Sequence, residues 1–131
     1  MADTLYKIMI VDDDKFLLGM YELKFRKGGH EVVTQTSAAD TLAKLKEGYS
    51  PDILLLDIIL PGTDGLQLLE TIRREKLAPE AVVVMLTNQS GTEEIERAKT
   101  LDVAGYLVKA TLVPSEVVAE VIKIARAKKG N

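Results

Sequence analysis

Five short apolar runs alternate along the chain with longer segments in which apolar residues recur every three or four positions. The runs cover residues 6–11, 32–33, 53–56, 81–86 and 103–108. Apolar runs of this length predict strands, and the recurrence between them predicts amphipathic helices. Five strands that alternate with five helices indicate an α/β fold, a doubly wound five-stranded parallel sheet with helices on both faces.

Polar residues mark where the predicted helices begin. Asp14 is assigned as the cap of the first helix, and Ser37 as the cap of the second. Thr92 has the position of a cap for the fourth helix, followed by two glutamates that suit a first turn. On the third helix, Glu70 and Arg74 lie four residues apart, which predicts an ion pair.

Composition narrows the class of protein. A chain of 131 residues with 47% hydrophobic content has the size of one domain, which we expect to span residues 1–131. The absence of cysteine excludes disulfides and cysteine nucleophiles. No apolar run reaches the length of a membrane span, and the N-terminus lacks the layout of a signal peptide, so we expect a cytoplasmic protein that binds no membrane.

Charge and histidine content disfavour two further classes of protein. The net charge is -3 and both signs are spread along the chain, which does not favour direct nucleic-acid binding. His30 is the one histidine and lies in a polar segment, where a surface position is expected. A phosphohistidine relay within this chain is therefore not predicted.

Polar side chains follow four of the five predicted strands. Asp12 and Asp13 end the first, Asp57 the third, Thr87 the fourth and Lys109 the fifth. In parallel sheets ligands bind at the carboxyl ends of the strands, near the point where strand order reverses. Three acids, a hydroxyl and an ammonium are thus expected to share one pocket.

Each of these residues also has an ordinary explanation when taken alone. Asp57 suits a turn or a helix cap, Lys109 suits a lysine that reaches solvent, and Thr87 suits a loop or a cap. Together they describe a different chemistry. Clustered carboxylates ionise together only around a cation, and oxygen ligands suit Mg²⁺. Aspartate can accept a phosphoryl group as an acyl phosphate, which a metal and a lysine stabilise.

Four ordered motifs resemble those of one family. IMIVDDD, LLLDIILPGTDG, VVVMLTN and GYLVK are similar to the motifs of the response-regulator receiver domain of two-component signalling, in particular its single-domain chemotaxis type. The resemblance covers essentially the whole chain. It implies a flavodoxin-like (βα)5 fold with strand order 2-1-3-4-5, a topology that general accounts illustrate with a protein of this family.

The resemblance also implies roles for the strand-end residues. Asp57 would be the phosphorylated residue. Asp13 would bind Mg²⁺ directly, Asp12 would support it through water, and the backbone carbonyl of Ile59 would complete the protein ligands.

The phosphoryl group and the output would depend on three further residues. Lys109 would pair with the phosphoryl oxygens, and the Thr87 hydroxyl would donate a hydrogen bond to another of them. Tyr106 would turn inward as Thr87 moves, which reshapes the surface of the fourth helix, fifth strand and fifth helix.

The function implied is a phosphorylation-dependent signalling switch. A sensor histidine kinase or a histidine phosphotransfer protein would supply the phosphoryl group, and a downstream effector protein would bind the altered surface. The protein would act as a monomer or a phosphorylation-dependent dimer. It would be a phosphoprotein that catalyses only its own phosphorylation and slow autodephosphorylation, not a turnover enzyme.

Several positions depart from the family pattern. Ala110 follows Lys109 where the family usually has proline, so both a cis and a trans Lys109–Ala110 peptide are considered. Asn88 is larger than the usual residue after the threonine and is expected to narrow access to the site. Ile59 and Gln89 would flank the phosphoryl group. Because Ile59 cannot position a water, we hypothesise a phosphoryl group that outlives that of a fast chemotaxis-type regulator. The polar side chain of Gln89 could offset this effect.

Two other classes compete with the switch. A phosphohydrolase with an aspartyl nucleophile usually carries a second acid two residues later and then a threonine on its first strand, and this threonine is missing after Asp12-Asp13-Asp14-Lys15. A flavin-binding module is disfavoured by the absence of tryptophan and by carboxylates where a phosphate cradle is needed.

Overall fold

The central sheet of the computed structural model contains five parallel strands. They are β1 (Lys7–Val11), β2 (Glu31–Gln35), β3 (Ile53–Leu56), β4 (Val82–Thr87) and β5 (Gly105–Val108). Their order is β2-β1-β3-β4-β5, which confirms the predicted parallel sheet and the order implied by the resemblance. The structure describes residues 4–130, so most of the N-terminal stretch used for the targeting prediction lies outside the described residues.

Five helices connect and follow the strands: α1 (Lys15–Lys27), α2 (Ala38–Lys46), α3 (Gly65–Arg74), α4 (Thr92–Thr100) and α5 (Pro114–Lys129). Two predicted caps are confirmed, because Asp14 accepts hydrogen bonds from the first turn of α1 and Ser37 accepts one from the first turn of α2. The cap predicted at Thr92 is wrong. Gly91 occupies the cap position in extended conformation, and Thr92 is already helical.

Successive residues of the inner strands pack on opposite faces of the sheet. Ile8 and Ile10 belong to the core cluster that α1 and α5 cover, whereas Met9 and Val11 belong to the cluster on the face of α2, α3 and α4. All four residues of β3 are fully buried. A strand covered by helices on both faces is apolar throughout, which explains the uninterrupted run in the sequence.

The apolar residues after Asp57 do not continue the sheet. Ile59–Leu60 instead pairs with Thr63–Asp64 in a short antiparallel hairpin. Gly62 has a φ of +73° in the turn, a conformation that glycine adopts at little cost. The chain leaves the sheet immediately after Asp57, which places that residue at the edge.

Glu70 pairs across helices and not along its own helix. Arg97 of α4 contacts Glu70 at 2.7 Å and Asp64, the cap of α3, at 3.3 Å. Arg74 donates to the Thr71 hydroxyl, so the predicted Glu70–Arg74 pair is wrong. An exposed pair within one helix contributes only about 0.3–0.5 kcal/mol, too little to compete with a guanidinium that reaches two acceptors.

His30 is buried, so the surface position predicted for it is wrong. Its Nδ1 accepts the backbone N–H of Tyr6 at 3.0 Å, and its ring stacks on that of Tyr6. The polar residues around His30 in the sequence gave no sign of its burial. The ring is stable in the core because its Nδ1 accepts the backbone N–H of Tyr6, the residue before β1.

Candidate phosphoryl and metal site

Three carboxylates meet at the carboxyl edge of the sheet. β1 and β3 are adjacent and end in register, Val11 opposite Leu56, so Asp12 and Asp57 leave the sheet side by side. The exposed Asp13 completes the group, in which one oxygen of each carboxylate lies within 4.8 Å of the others. The strand ends thus bring the predicted acids together.

Lys109 lies between two of these acids. Its Nζ is 2.6 Å from Oδ2 of Asp57 and 2.6 Å from Oδ2 of Asp12. Asp57 is 6% exposed and Asp12 is 1% exposed, so both ion pairs are shielded from water. The other oxygens accept backbone N–H groups, that of Ile59 at Asp57 and that of Asp14 at Asp12.

The pKa shifts follow from this shared ammonium. Burial raises the pKa of Asp12, although the hydrogen bond from Lys109 acts in the opposite direction. Burial alone would lower the pKa of Lys109, but the hydrogen bonds and charges of Asp12 and Asp57 outweigh it and the pKa is raised. Lys109 therefore stays charged at neutral pH, and two of the three carboxylates, those of Asp12 and Asp57, share its ammonium.

Thr87 and Tyr106 hold the backbone of the same residue. The fully buried Thr87 ends β4, and its hydroxyl oxygen accepts the N–H of Gln89 at 3.2 Å. The Tyr106 hydroxyl donates to the carbonyl of Gln89, and the Tyr106 ring packs against the core on that face. Thr87 and Tyr106, both predicted from the sequence, are therefore connected through one residue.

The sequence comparison agrees with this arrangement. The family model for the response regulator receiver domain matches residues 8–122, a range that contains the acids, Thr87, Tyr106 and Lys109. The chain belongs to the response regulator receiver domain family. As a receiver domain, it is a component of two-component signalling, and such domains are regulatory phosphoacceptors and not classical enzymes.

Relatives and solved structures support the same family. The receiver domain is 30% identical over 122 residues to the alkaline phosphatase synthesis transcriptional regulatory protein PhoP of Bacillus subtilis, covering 92% of this chain and 48% of that protein. It spans about half the length of most curated relatives that it matches.

Two solved structures resemble the receiver domain closely. A CheY-like receiver domain protein from Methanospirillum hungatei is 26% identical with a TM-score of 0.84, covering 98% of this chain and 100% of that one. The BeF3-activated DrrB receiver domain is also 26% identical, with a TM-score of 0.77, covering 92% of this chain and 97% of that one.

The acids of this receiver domain fit Mg²⁺. Mg²⁺ binds oxygen at about 2.0–2.1 Å, so two ligands on opposite sides of the ion are about 4.2 Å apart. The 4.8 Å spread of the three carboxylates is close to that span, and family members typically bind Mg²⁺ at such an acidic pocket. Ile59 follows Asp57 by two residues, and its N–H donates to the Asp57 carboxylate at 3.3 Å. The three carboxylates are therefore suited to hold a divalent cation.

The departures from the family pattern have structural counterparts. The Lys109–Ala110 peptide is trans, as are all peptides of residues 4–130. The Ala110 N–H, which a proline would lack, donates to Oδ1 of Asn88 at 2.9 Å. This hydrogen bond places the side chain of Asn88 in a contact between two loops. The third departure, Ile59, is 53% exposed beside Asp57.

Gly65 lies beside the site, although no role was predicted for it from the sequence. A Cβ on Gly65 would lie 1.9 Å from the carbonyl oxygen of Asp57. Its N–H donates to the carbonyl of Ile58 at 2.6 Å. The glycine of the TDG triplet that leads into α3 was the available signal, since a residue without a Cβ permits the close approach of another backbone.

Among residues 4–130, no helix combines the length and the apolar character needed to cross a membrane.

Proposed function

We propose that this receiver domain is a phosphorylation-dependent switch in which Asp57 accepts a phosphoryl group. One observation carries the proposal: the buried Asp57 carboxylate, at the end of β3, lies 2.6 Å from Lys109 and beside two further acids. The donor is a phosphohistidine of a sensor histidine kinase or a histidine phosphotransfer protein. A carboxylate oxygen of Asp57 attacks phosphorus while the phosphorus–nitrogen bond breaks, and its electron pair stays on the donor imidazole.

Asp13, Asp57 and the backbone carbonyl of Ile59 would hold Mg²⁺ directly, with Asp12 acting mostly through water. When bound, the ion supplies positive charge at the phosphoryl oxygens. The exposure of Asp13 and the burial of Asp12 agree with this division. Asp12 and Asp57 share the single ammonium of Lys109, and a bound cation would further reduce the repulsion between their negative charges.

Lys109 and Thr87 are proposed to bind the phosphoryl oxygens. The Lys109 ammonium is already 2.6 Å from the Asp57 oxygen and its raised pKa keeps it charged. The Thr87 hydroxyl accepts a hydrogen bond from Gln89, so its own proton remains available for donation. Both groups would stabilise the negative charge that Asp57 gains with the phosphoryl group.

Thr87 and Tyr106 form the proposed output device. Donation from Thr87 to a phosphoryl oxygen would shift Gln89, whose carbonyl accepts the Tyr106 hydroxyl. The inward position of Tyr106 would then be favoured, with a changed surface on α4, β5 and α5. A downstream effector protein reads that surface, in a two-state equilibrium that the new charge biases.

Autodephosphorylation is proposed to be slow, because Ile59 offers no group to position a water. The chain acts in the cytoplasm as a monomer or a phosphorylation-dependent dimer, without binding nucleic acid or a membrane itself. It forms a single receiver domain over residues 1–131.

Acetyl phosphate with Mg²⁺, followed by intact-mass measurement, tests the proposal. We expect one phosphoryl group per chain, none on Asp57→Asn, and wild-type labelling of Asp102→Asn, an exposed carboxylate outside the pocket. An unlabelled wild type, or labelled Asp57→Asn, would contradict the proposal. Rapid repeated release of phosphate would instead favour a phosphohydrolase.

A further inference from the structure

Two loops leave the carboxyl edge of the sheet next to each other. Thr87 is paired with Val108 in the last step of the β4–β5 ladder. Asn88 and Lys109 are therefore the first residues beyond the sheet on adjacent parallel strands. Backbone donors past this point have no strand partner, so a side chain or water accepts their hydrogen bonds.

The Asn88 side chain supplies that acceptor. Ala110 lies in a 3₁₀ turn formed by Lys109–Thr111, whose first N–H groups have no partner within the turn. Its N–H donates to Oδ1 of Asn88 at 2.9 Å. The turn that contains Lys109 is thus attached by a side chain to the loop that contains Thr87.

Two hydrogen bonds, one on each side of Lys109, hold the segment 87–89 to β5 and to the 3₁₀ turn that follows it. Before Lys109, the Tyr106 hydroxyl donates to the carbonyl of Gln89. After Lys109, Ala110 donates to Asn88. These two hydrogen bonds connect the Thr87 loop directly to the segment that carries the ammonium of Lys109.

We propose that Asn88 is a positioning residue that keeps the Lys109 turn in register with Thr87. The ammonium and the hydroxyl then reach the oxygens of one phosphoryl group together, and each is displaced when the other moves. This inference rests on the proposed function of Asp57, Lys109 and Thr87. It gives Asn88 a role in the reaction although its own side chain contacts neither carboxylate nor ammonium in the hydrogen bonds described.

Asn88→Ala is the direct test. We expect the rate constant for labelling of Asp57 by acetyl phosphate to fall roughly 2- to 10-fold, the range associated with loss of one neutral hydrogen bond. The affinity for beryllium trifluoride in the presence of Mg²⁺ should fall by a similar factor. Hydrogen exchange of the Ala110 amide, followed by NMR, should accelerate in the same variant.

Two controls separate positioning from simple loss of structure. Thr111→Val removes the hydrogen bond from the Thr111 hydroxyl to the carbonyl of Val108 in the same turn but leaves the link to Asn88 intact, so labelling should remain at the wild-type rate. Asn88→Asp keeps an acceptor oxygen at the same place. Salt screens its added charge, so at high salt it should label close to wild type and protect the Ala110 amide.

The outcomes distinguish this inference from the proposed function. An unlabelled wild type defeats the proposed function itself. Wild-type labelling of Asn88→Ala, or equal slowing in Thr111→Val, overturns the positioning role while leaving Asp57 as the acceptor. If Asn88→Ala does not fold, Asn88→Asp decides the question, because slow labelling at high salt would contradict the role assigned to the acceptor oxygen.

Discussion

At the scale of single residues, Gly65 sets how closely the chain can pass Asp57. A side chain there would collide with the carbonyl of Asp57, although the backbone of Gly65 is not in the left-handed region. The requirement for glycine is one of space and not of conformation. The obstacle is backbone, which cannot rotate away as a flexible side chain would.

Gly65→Ala should therefore destabilise the fold by about 1–3 kcal/mol, the usual range for overpacking, and slow labelling of Asp57. Urea unfolding measures the first effect and intact mass the second. Gly19→Ala is the matched control, because nothing lies near its Cβ inside α1, and it should raise the free energy of unfolding by about 0.5–1 kcal/mol. Equal stability of Gly65→Ala and wild type would contradict the role of close approach.

Ile59 is the residue expected to govern the lifetime of the phosphoryl group. Ile59 is half exposed beside Asp57, and its side chain has no polar atom that could orient a water. Ile59→Asn should accelerate loss of the phosphoryl group several-fold, because an amide can hold a water near phosphorus. Decay of labelled protein after removal of acetyl phosphate gives the rate, with Ile59→Leu as the apolar control. Slower decay in Ile59→Asn than in wild type would defeat the hypothesis.

At the scale of elements, His30 joins the residue that precedes β1 to α1. Its Nδ1 accepts the N–H of Tyr6, and its ring meets the edge of Phe25. Burial lowers the pKa of His30, and the charge of Arg126 acts in the same direction. The neutral imidazole is thus the form that this junction stabilises.

The pKa of His30 is lower in the folded chain than its value of about 6.5 in the unfolded chain. The contribution of His30 to the free energy of unfolding is therefore complete above about pH 6.5 and declines as the pH falls below it. The difference in free energy of unfolding between wild type and His30→Phe should shrink by at most about 1.4 kcal/mol per pH unit below pH 6.5. Urea titrations between about pH 7 and 5 measure it. A difference that stays constant over this interval would contradict the linkage.

At the scale of the whole molecule, charge is distributed unevenly over an otherwise mixed surface. Both signs are spread along the chain, but the carboxyl edge gathers three carboxylates, two of which pair with the Lys109 ammonium. Folding creates this concentration of charge, because the acids come from strands far apart in the sequence. A divalent cation should consequently favour the folded state.

Thermal unfolding with and without MgCl₂ tests this expectation. A ligand at 100 times its dissociation constant adds about 2.7 kcal/mol when it binds only the native state. Asp13→Asn should lose most of this gain, whereas Asp102→Asn, which alters an exposed carboxylate elsewhere, should keep it. An undiminished Mg²⁺ effect in Asp13→Asn would remove Asp13 from the proposed ligands.

The sequence by itself determined the alternation of strands and helices and which residues follow the strands. Both are written in local patterns: run length and period distinguish strand from helix, and a parallel sheet brings all carboxyl ends to one edge. The meeting of Asp12, Asp57 and Lys109 was therefore predictable before any distance was known. The roles assigned to them came from the resemblance of four motifs to one family.

Only the tertiary structure decided which side chains contact each other across the elements. The burial of His30, the pairing of Glu70 with Arg97, the collision at Gly65 and the link from Asn88 to Ala110 each join residues from different elements. Periodicity indicates the face on which a residue lies but not the partner that it meets there. Those partners depend on distances between elements, and such distances are fixed by packing of the core.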